Sequence, residues 1–411
     1  MGVIGALRTW AATGAAVVLL GVLLTSAPIV FIGVAILIVR VMGEVWPHHV
    51  LESLEFEHSI KPTHTVVGDE VELTLALWNR TRLPVAWAGV QDTIGAGLRV
   101  AGTEGGVTTL GIAGPMRPYE RLSRRVRLAP IRRGVHEVGP ARVRVAEVFG
   151  SGDPGRDASV APVILTARPL MAPVVGLLPA TAPLAQARAR RSLFQDPTLF
   201  AGTRPFQAGD PVRAIHWRAS ARQPMLQAKR YEPALSRQAM LVFDVQTVEG
   251  PFWELSYDET LFEDQCVAAV SLARSLVADE TSVGFAAAGF TGTTQRYVFL
   301  QPRADLSQVG RIGDALARLG MESSTALTTM LAWLPRRVAR GTTFVVLTGR
   351  SPLSNTAVVR RLAQSGFGVH FLVMPNAHEA LSETHRAGLS AQAIRVERER
   401  RTPRAVVVAA V

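Results

Sequence analysis

The run Met240-Leu241-Val242-Phe243-Asp244 decides the fold of the C-terminal half of the chain. Its four consecutive apolar residues offer no polar face, so as a strand the segment must be covered on both sides, as a central parallel strand is. The acid that ends it falls where a doubly wound sheet presents groups to ligands. Working outward, similar apolar runs recur at residues 282–288, 343–347, 369–373 and 405–410. Helical spacing fills residues 257–278, 306–319, 327–333 and 355–364 between them, and residues 297–300 read as an antiparallel edge. Alternating strand and helix predicts an α/β doubly wound domain over residues 236–411. The single cysteine, Cys266, sits in the apolar stretch Cys266-Val267-Ala268-Ala269-Val270 and is expected to be a buried small hydrophobe, so no disulfide framework exists.

This arrangement resembles the von Willebrand factor A fold, which often holds a divalent cation. The resemblance implies hard oxygen ligands: an Asp-x-Ser-x-Ser loop after the first strand, a threonine on another loop and an aspartate on a third. Here the first loop reads Asp244-Val245-Gln246-Thr247-Val248, in which Val248 has no ligand atom. Thr325 matches the threonine, and the last position reads Thr348-Gly349-Arg350, where Arg350 opposes a cation. Asp244, Gln246 and Thr325 thus form a degenerate candidate, and the expectation is no metal and no cofactor.

Just upstream lies the most informative stretch, made up of residues 194–197, 202–222 and 226–232. Asp210-Pro211 reads as a helix start, an aspartate accepting orphan amides ahead of a proline at the first helical position. Val212, Ile215 and Ala219 fall on one face at helical spacing, and alternation after Gln223-Pro224 predicts a strand. The pattern Gly-Asp-Pro-x-Arg-x-Ile-His-Trp-x-Ala-Ser-Ala-Arg, then Leu-x-x-Lys and Glu, closely resembles the hallmark of the domain-of-unknown-function 58 family. It falls on Gly209, Asp210, Arg213, Ile215, His216, Trp217, Ala219, Ser220, Ala221, Arg222, Leu226, Lys229 and Glu232. The resemblance implies a membrane-associated protein working with MoxR-type AAA+ ATPases and with von Willebrand factor A or transglutaminase-like proteins in complex or envelope assembly. Two readings of the hallmark stand. Arg213, Arg218, Arg222 and Lys229 could converge on an anion or acidic partner. The favoured reading is an interdomain lock with Asp210 capping, Trp217 buried and the arginines paired.

Between residues 51 and 150 the texture is different. Val71, Leu73, Leu75 and Leu77 alternate with polar neighbours, as do residues 122–128 and 142–148, with glycine-rich turns between them. This predicts an all-β sandwich-like domain. His48, His49, His58 and His64 match no common ligand spacing and are expected to be solvated. Residues 151–190, rich in proline, alanine and glycine, read as a linker, and residues 191–235 hold the signature segment.

Residues 9–39 carry no charge. One helix of that length extends ~46 Å against a ~30 Å hydrocarbon core. The break Thr25-Ser26-Ala27-Pro28 predicts two short helices, and Arg8, Arg40, Trp10 and Trp46 flank their open ends. Residues 1–50 are therefore expected to form a transmembrane helical hairpin in the lipid bilayer. This makes the chain a multi-pass cell-membrane protein whose body faces the cytoplasm.

The net charge is +11, and Lys61 and Lys229 are the only lysines. A basic excess alone suits an anionic surface as well as an acidic partner. The functional expectation is a membrane-anchored non-enzymatic scaffold or adaptor. One alternative is a hydrolase using Asp244 or His216, although no phosphate loop, nucleophile elbow or metal-ligand spacing is present. The other is a basic nucleic-acid binder, although aromatic platforms interleaved with the basic residues are lacking, so no nucleic acid is expected.

Overall fold

The computed structural model describes residues 2–103, 108–145, 155–157, 160–176, 195–207, 212–233, 238–251, 253, 257–292, 295–399 and 402–409. Within these, the side chains of residues 2–11, 40–48, 155–157, 195–201, 213 and 230–233 are outside the description. The chain divides into two compact units, residues 1–168 and 169–411. The division falls inside the stretch read as a linker.

The first unit opens with two helices, α1 (Gly2–Leu23) and α2 (Ala27–Ser53). They approach backbone to backbone: a Cβ on Gly21 would stand 2.6 Å from the Val30 amide, and one on Gly33 2.7 Å from that of Val18. The transmembrane hairpin, the multi-pass localisation and the fold class built on them are corrected here. No helix among the described residues is long and apolar enough to cross a membrane. The turn at residues 24–26 divides the uncharged run, and charge returns at Arg40 and Glu44. These leave apolar stretches of residues 9–23 and 27–39, each ~20 Å long at the helical rise against a ~30 Å core.

Strands β1 (Leu54–Lys61), β2 (His64–Val66), β3 (Val71–Asn79), β4 (Val85–Ile94) and β5 (Leu98–Val100) follow. They are succeeded by β6 (Thr109–Met116), β7 (Arg121–Pro130), β8 (Gly134–Val145), β9 (Gly155–Asp157) and β10 (Val163–Arg168). One sheet has the order β1-β3-β7-β5, and the other runs β2-β10-β8-β4-β6 with β9 on β8. Period-two patterning places Leu73, Leu75 and Leu77 of β3 in a common core with Val90, Val143 and Leu165 of the second sheet. The polar face of the β3–β7 ladder carries exposed ion pairs such as Arg127–Glu70, 3.2 Å, each of small value in water.

His58 departs from the solvated state expected of it. Its side chain is 1% exposed beside Asp92, itself fully buried. Nδ1 lies 2.7 Å from Asp92 Oδ2 and Nε2 lies 2.9 Å from the Ala161 carbonyl oxygen. An ionised Asp92 and the Ala161 carbonyl are both acceptors, so the protonated ring can donate to each. Burial alone would lower its pKa, but the Asp92 and Ala161 hydrogen bonds and the Asp92 charge raise it above its ordinary value. The pair joins β1 of one sheet to β4 of the other, across a sequence separation that no local pattern registers.

The second unit contains β11 (Val174–Val175), β12 (Gln195–Pro205), β13 (Gln227–Pro233), β14 (Gln238–Phe243), β15 (Ser282–Ala287) and β16 (Gly289–Thr291). Then come β17 (Val298–Arg303), β18 (Leu319–Ser323), β19 (Thr343–Thr348), β20 (Gly368–Val373), β21 (Ala391–Glu399) and β22 (Thr402–Val408). Its helices are α3 (Trp217–Ser220), α4 (Glu259–Ala278), α5 (Leu306–Arg318), α6 (Leu327–Trp333), α7 (Thr356–Gln364) and α8 (Leu381–Arg386). The large sheet has the order β11-β22-β21-β20-β19-β14-β15-β17. Strands β15, β14, β19, β20 and β21 are parallel, with antiparallel β17 and β22 beyond them. The apolar run Met240–Phe243 lies in β14. Ala239, Leu241 and Phe243 enter the core on one face, where α4 packs with Cys266. Met240 and Val242 enter the core on the other.

In this unit His370, on β20, is buried among uncharged partners. Its Nδ1 lies 2.7 Å from Ser390 Oγ and its Nε2 3.1 Å from Gln392 Oε1. Burial, aided by the charge of His385 and opposed by Gln392, lowers its pKa from 6.5 to about 4.

The two histidines therefore give opposite pH dependences. The raised His58 stabilises below its unfolded value of 6.5, and that contribution is lost as pH rises through its folded value. The lowered His370 stabilises above 6.5, and its contribution is lost as pH falls from 6.5 towards 4, at most about 3 kcal/mol. In thermal melts, the deficit of His58→Gln relative to the parent chain should shrink between about pH 6 and about pH 9, and that of His370→Gln between about pH 7 and about pH 4. Deficits that stay constant across those ranges would refute both assignments.

Candidate functional site

From β14 the chain proceeds to β15 on one side, whereas β19, β20 and β21 build out on the other. The crevice beyond the carboxyl ends of β14 and β19 is thus the switch point of the sheet, where open α/β folds place ligands. Asp244 and Thr348-Gly349-Arg350 stand there, at the ends of those two strands.

The Asp244 carboxylate is closed from within. Arg350 donates from Nη2 to Oδ2 at 3.0 Å and to Oδ1 at 3.2 Å, and from Nε to Oδ2 at 3.2 Å. Thr348 Oγ1 donates to Oδ2 at 2.8 Å and itself accepts the Arg350 amide at 3.1 Å. Asp244 is 4% exposed at its side chain and Arg350 13%. Burial pushes the carboxyl above its ordinary range, while the Arg350 charge and the Thr348 hydroxyl pull it back. Beneath the pair, Gln265 of α4 donates Nε2 to the carbonyl oxygens of Asp244, 2.8 Å, and Leu347, 3.0 Å, binding the two strand ends together. Its Oε1 is buried without a hydrogen-bond partner. Buried Thr247 accepts the Asp258 amide, 2.8 Å, and Asp258 caps α4 through the Leu261 amide.

The degenerate metal candidate is not assembled into a cation site. The Arg350 guanidinium already covers both carboxylate oxygens of Asp244. Gln246 reaches the Gly250 carbonyl, 3.4 Å, and the Thr325 carbonyl oxygen accepts from Ser323 Oγ, 2.9 Å. Among the described residues no group of three or more His, Cys, Asp or Glu side chains could hold a metal ion. Gln265 was not singled out from the sequence. Its signal was a lone amide in a helix whose neighbours Leu261, Phe262, Cys266 and Ala269 are apolar.

The hallmark segment takes a different form from the continuous helical face expected at Val212, Ile215 and Ala219. Gly209 and Asp210 lie outside the described residues, as do the side chains of Arg213 and Glu232. Residues Val212–Ala214 form a single 3-10 turn, Ile215 bridges to Ala228, and helix α3 is one turn long. His216 caps α3: its Nδ1 accepts the Ala219 amide at 3.0 Å, which places the neutral ring's proton on Nε2. Its own amide donates to the Gln227 carbonyl, 2.7 Å. Ser220 Oγ donates to the His216 carbonyl, 3.1 Å, and accepts the Gln227 amide, 2.8 Å. The turn is thereby sewn to β13, which pairs with β12 in the register Thr203↔Lys229 and Arg204↔Ala228.

The lock reading required Trp217 to be buried, and this is corrected: Trp217 is 66% exposed. Ile215 and Ala228, bridged to one another ahead of and behind the turn, are buried, whereas α3 itself buries no residue and Trp217, Arg218 and Arg222 are exposed.

A family model described as "Protein of unknown function DUF58" matches residues 202–352, from the β12–β13 ladder through the Asp244–Arg350 crevice. No curated protein matches the chain. Among solved structures, the CARDB domain of a Pyrococcus furiosus protein is similar at 16% identity over 28% of this chain and 91% of its own, with a TM-score of 0.21. A non-cellulosomal cohesin from Archaeoglobus fulgidus is similar at 15% identity over 28% of this chain and 90% of its own, TM-score 0.19. The sporulation control protein Spo0M of Bacillus subtilis is similar at 11% identity over 38% of this chain and 58% of its own, TM-score 0.18. At these scores the likenesses carry no argument about fold or function.

Removing one partner of the buried pair leaves the other uncompensated. Arg350→Met should destabilise the chain by roughly 3–5 kcal/mol in denaturant titrations. Adding Asp244→Asn to that variant should recover a large part of the loss. If Arg350→Met stayed within about 1 kcal/mol of the parent, the pair would be no more than a surface contact.

Proposed function

We propose that the chain is a non-enzymatic adaptor in protein-complex or envelope assembly, acting with a MoxR-type AAA+ ATPase, as the hallmark resemblance implies. On this reading the α/β unit is a von Willebrand factor A-like body whose cation position is taken by Arg350. The observation that carries the proposal is the closed Asp244–Arg350–Thr348 cluster at the switch point, where such a sheet would otherwise offer reacting groups. The same division of labour holds in the hallmark. His216 and Ser220 are engaged with Ala219 and Gln227, while Trp217 and Arg222 are displayed to the surroundings. Polar groups held inside and aromatic and guanidinium groups presented outside suit recognition better than chemistry.

Mixing the purified full chain with the MoxR-type ATPase of the same organism tests the proposal. Light scattering coupled to size exclusion should show a complex, and the double variant Asp244→Asn/Arg350→Met and the variant His216→Gln should retain it. Absence of the complex, together with turnover of a hydrolysable substrate that Asp244→Asn abolishes, would establish the hydrolase reading instead.

A further inference from the structure

The segment of α3 and the turn into β13 displays both large apolar and cationic side chains. Trp217 is joined by Met225 and Leu226, 58% and 48% exposed, on the turn that leads into β13. Exposed Arg218 and Arg222 lie on the same segment, with part-exposed Lys229 on the strand behind. Between Asp210 and Glu232 the sequence holds no acidic residue, whereas Arg213, Arg218, Arg222, Lys229 and Arg230 are all cationic. This local field therefore lacks any internal counter-charge within the segment. Nor is the patch loose. His216 N to Gln227 O, Gln227 N to Ser220 Oγ, and the Ile215–Ala228 bridge fix it to the β12–β13 ladder, so ordering it on binding costs little.

We infer that the α3 turn, through Trp217, Met225 and Leu226 with Arg218 and Arg222, docks an acidic segment of a partner protein that carries a large apolar side chain. Charge complementarity selects the acidic partner. Tryptophan and arginine are the residue types through which interfaces gain most of their energy. Nucleic acid is the poorer fit, because single strands are held on successive aromatic platforms and here one indole is accompanied by aliphatic side chains. The inference rests on the adaptor reading and supplies the chemistry of its contact surface.

Fluorescence anisotropy on the full chain tests it, using a short labelled peptide in which glutamate alternates with leucine and phenylalanine. Its glutamine twin and a poly-thymidine oligonucleotide serve as rivals. The acidic peptide should bind, and both Trp217→Ala and Arg218→Glu/Arg222→Glu should weaken it at least about tenfold, some 1.4 kcal/mol. Leu306→Ala, at an exposed apolar site on α5, should not weaken it. Because the substituted side chains are exposed, thermal melts of the variants should match the parent. No binding of the acidic peptide, equal binding of its glutamine twin, tighter binding of the oligonucleotide, or indifference to Trp217→Ala each overturns the inference. A complex with the ATPase that survives Trp217→Ala would refute this docking surface yet leave the adaptor reading standing, whereas loss of the complex in the parent chain itself removes the adaptor reading.

Discussion

A parallel strand covered on both faces has no solvent into which to put the charge at its end, and that constraint organises the second unit. Strand β14 gives alternate side chains to two separate cores, so the residue that follows it is carried into the interior with its backbone. When that residue is an aspartate, a buried carboxylate is costly unless it is paired and hydrogen-bonded. Arg350 and Thr348 meet the requirement from the end of the neighbouring strand, and Gln265 ties the two strand ends from below. The ion pair links β14 to the chain beyond β19, and the loops that supply it pass so closely that a Cβ on Gly349 would meet the Thr247 carbonyl oxygen at 3.0 Å.

This closure has functional meaning because of where it occurs. Open α/β sheets recruit ligands at the switch point, and here that position is filled by the protein's own guanidinium. On the adaptor reading proposed above, the unit displays its recognition groups elsewhere. The hallmark does so economically: one histidine, one serine and one strand amide hold a single turn, and the tryptophan and arginines it carries are turned outward.

The β unit solves its charge problem by a different route. His58 and Asp92 form a buried hydrogen-bonded pair between two sheets that share an apolar core. His370 in the second unit, packed near Ser390 and Gln392, is kept neutral. The contrast lies in the acceptors: a carboxylate and a carbonyl demand two protons of a ring, whereas a hydroxyl that can donate demands only one.

Local periodicity determined much by itself. The apolar run at β14, the alternation of Leu73, Leu75 and Leu77 and the burial of Cys266 were legible because strand and helix repeats are properties of neighbouring residues. The hallmark, too, was visible as a pattern, and Asp244 and Arg350 were marked as a mismatch to cation chemistry. Tertiary structure alone decided that these two residues grip one another, that His58 meets Asp92 and that Trp217 is exposed. The two pairs are 106 and 34 residues apart. Burial and pairing are decided when distant strands come together, and no repeat along the chain encodes which partner will be waiting there.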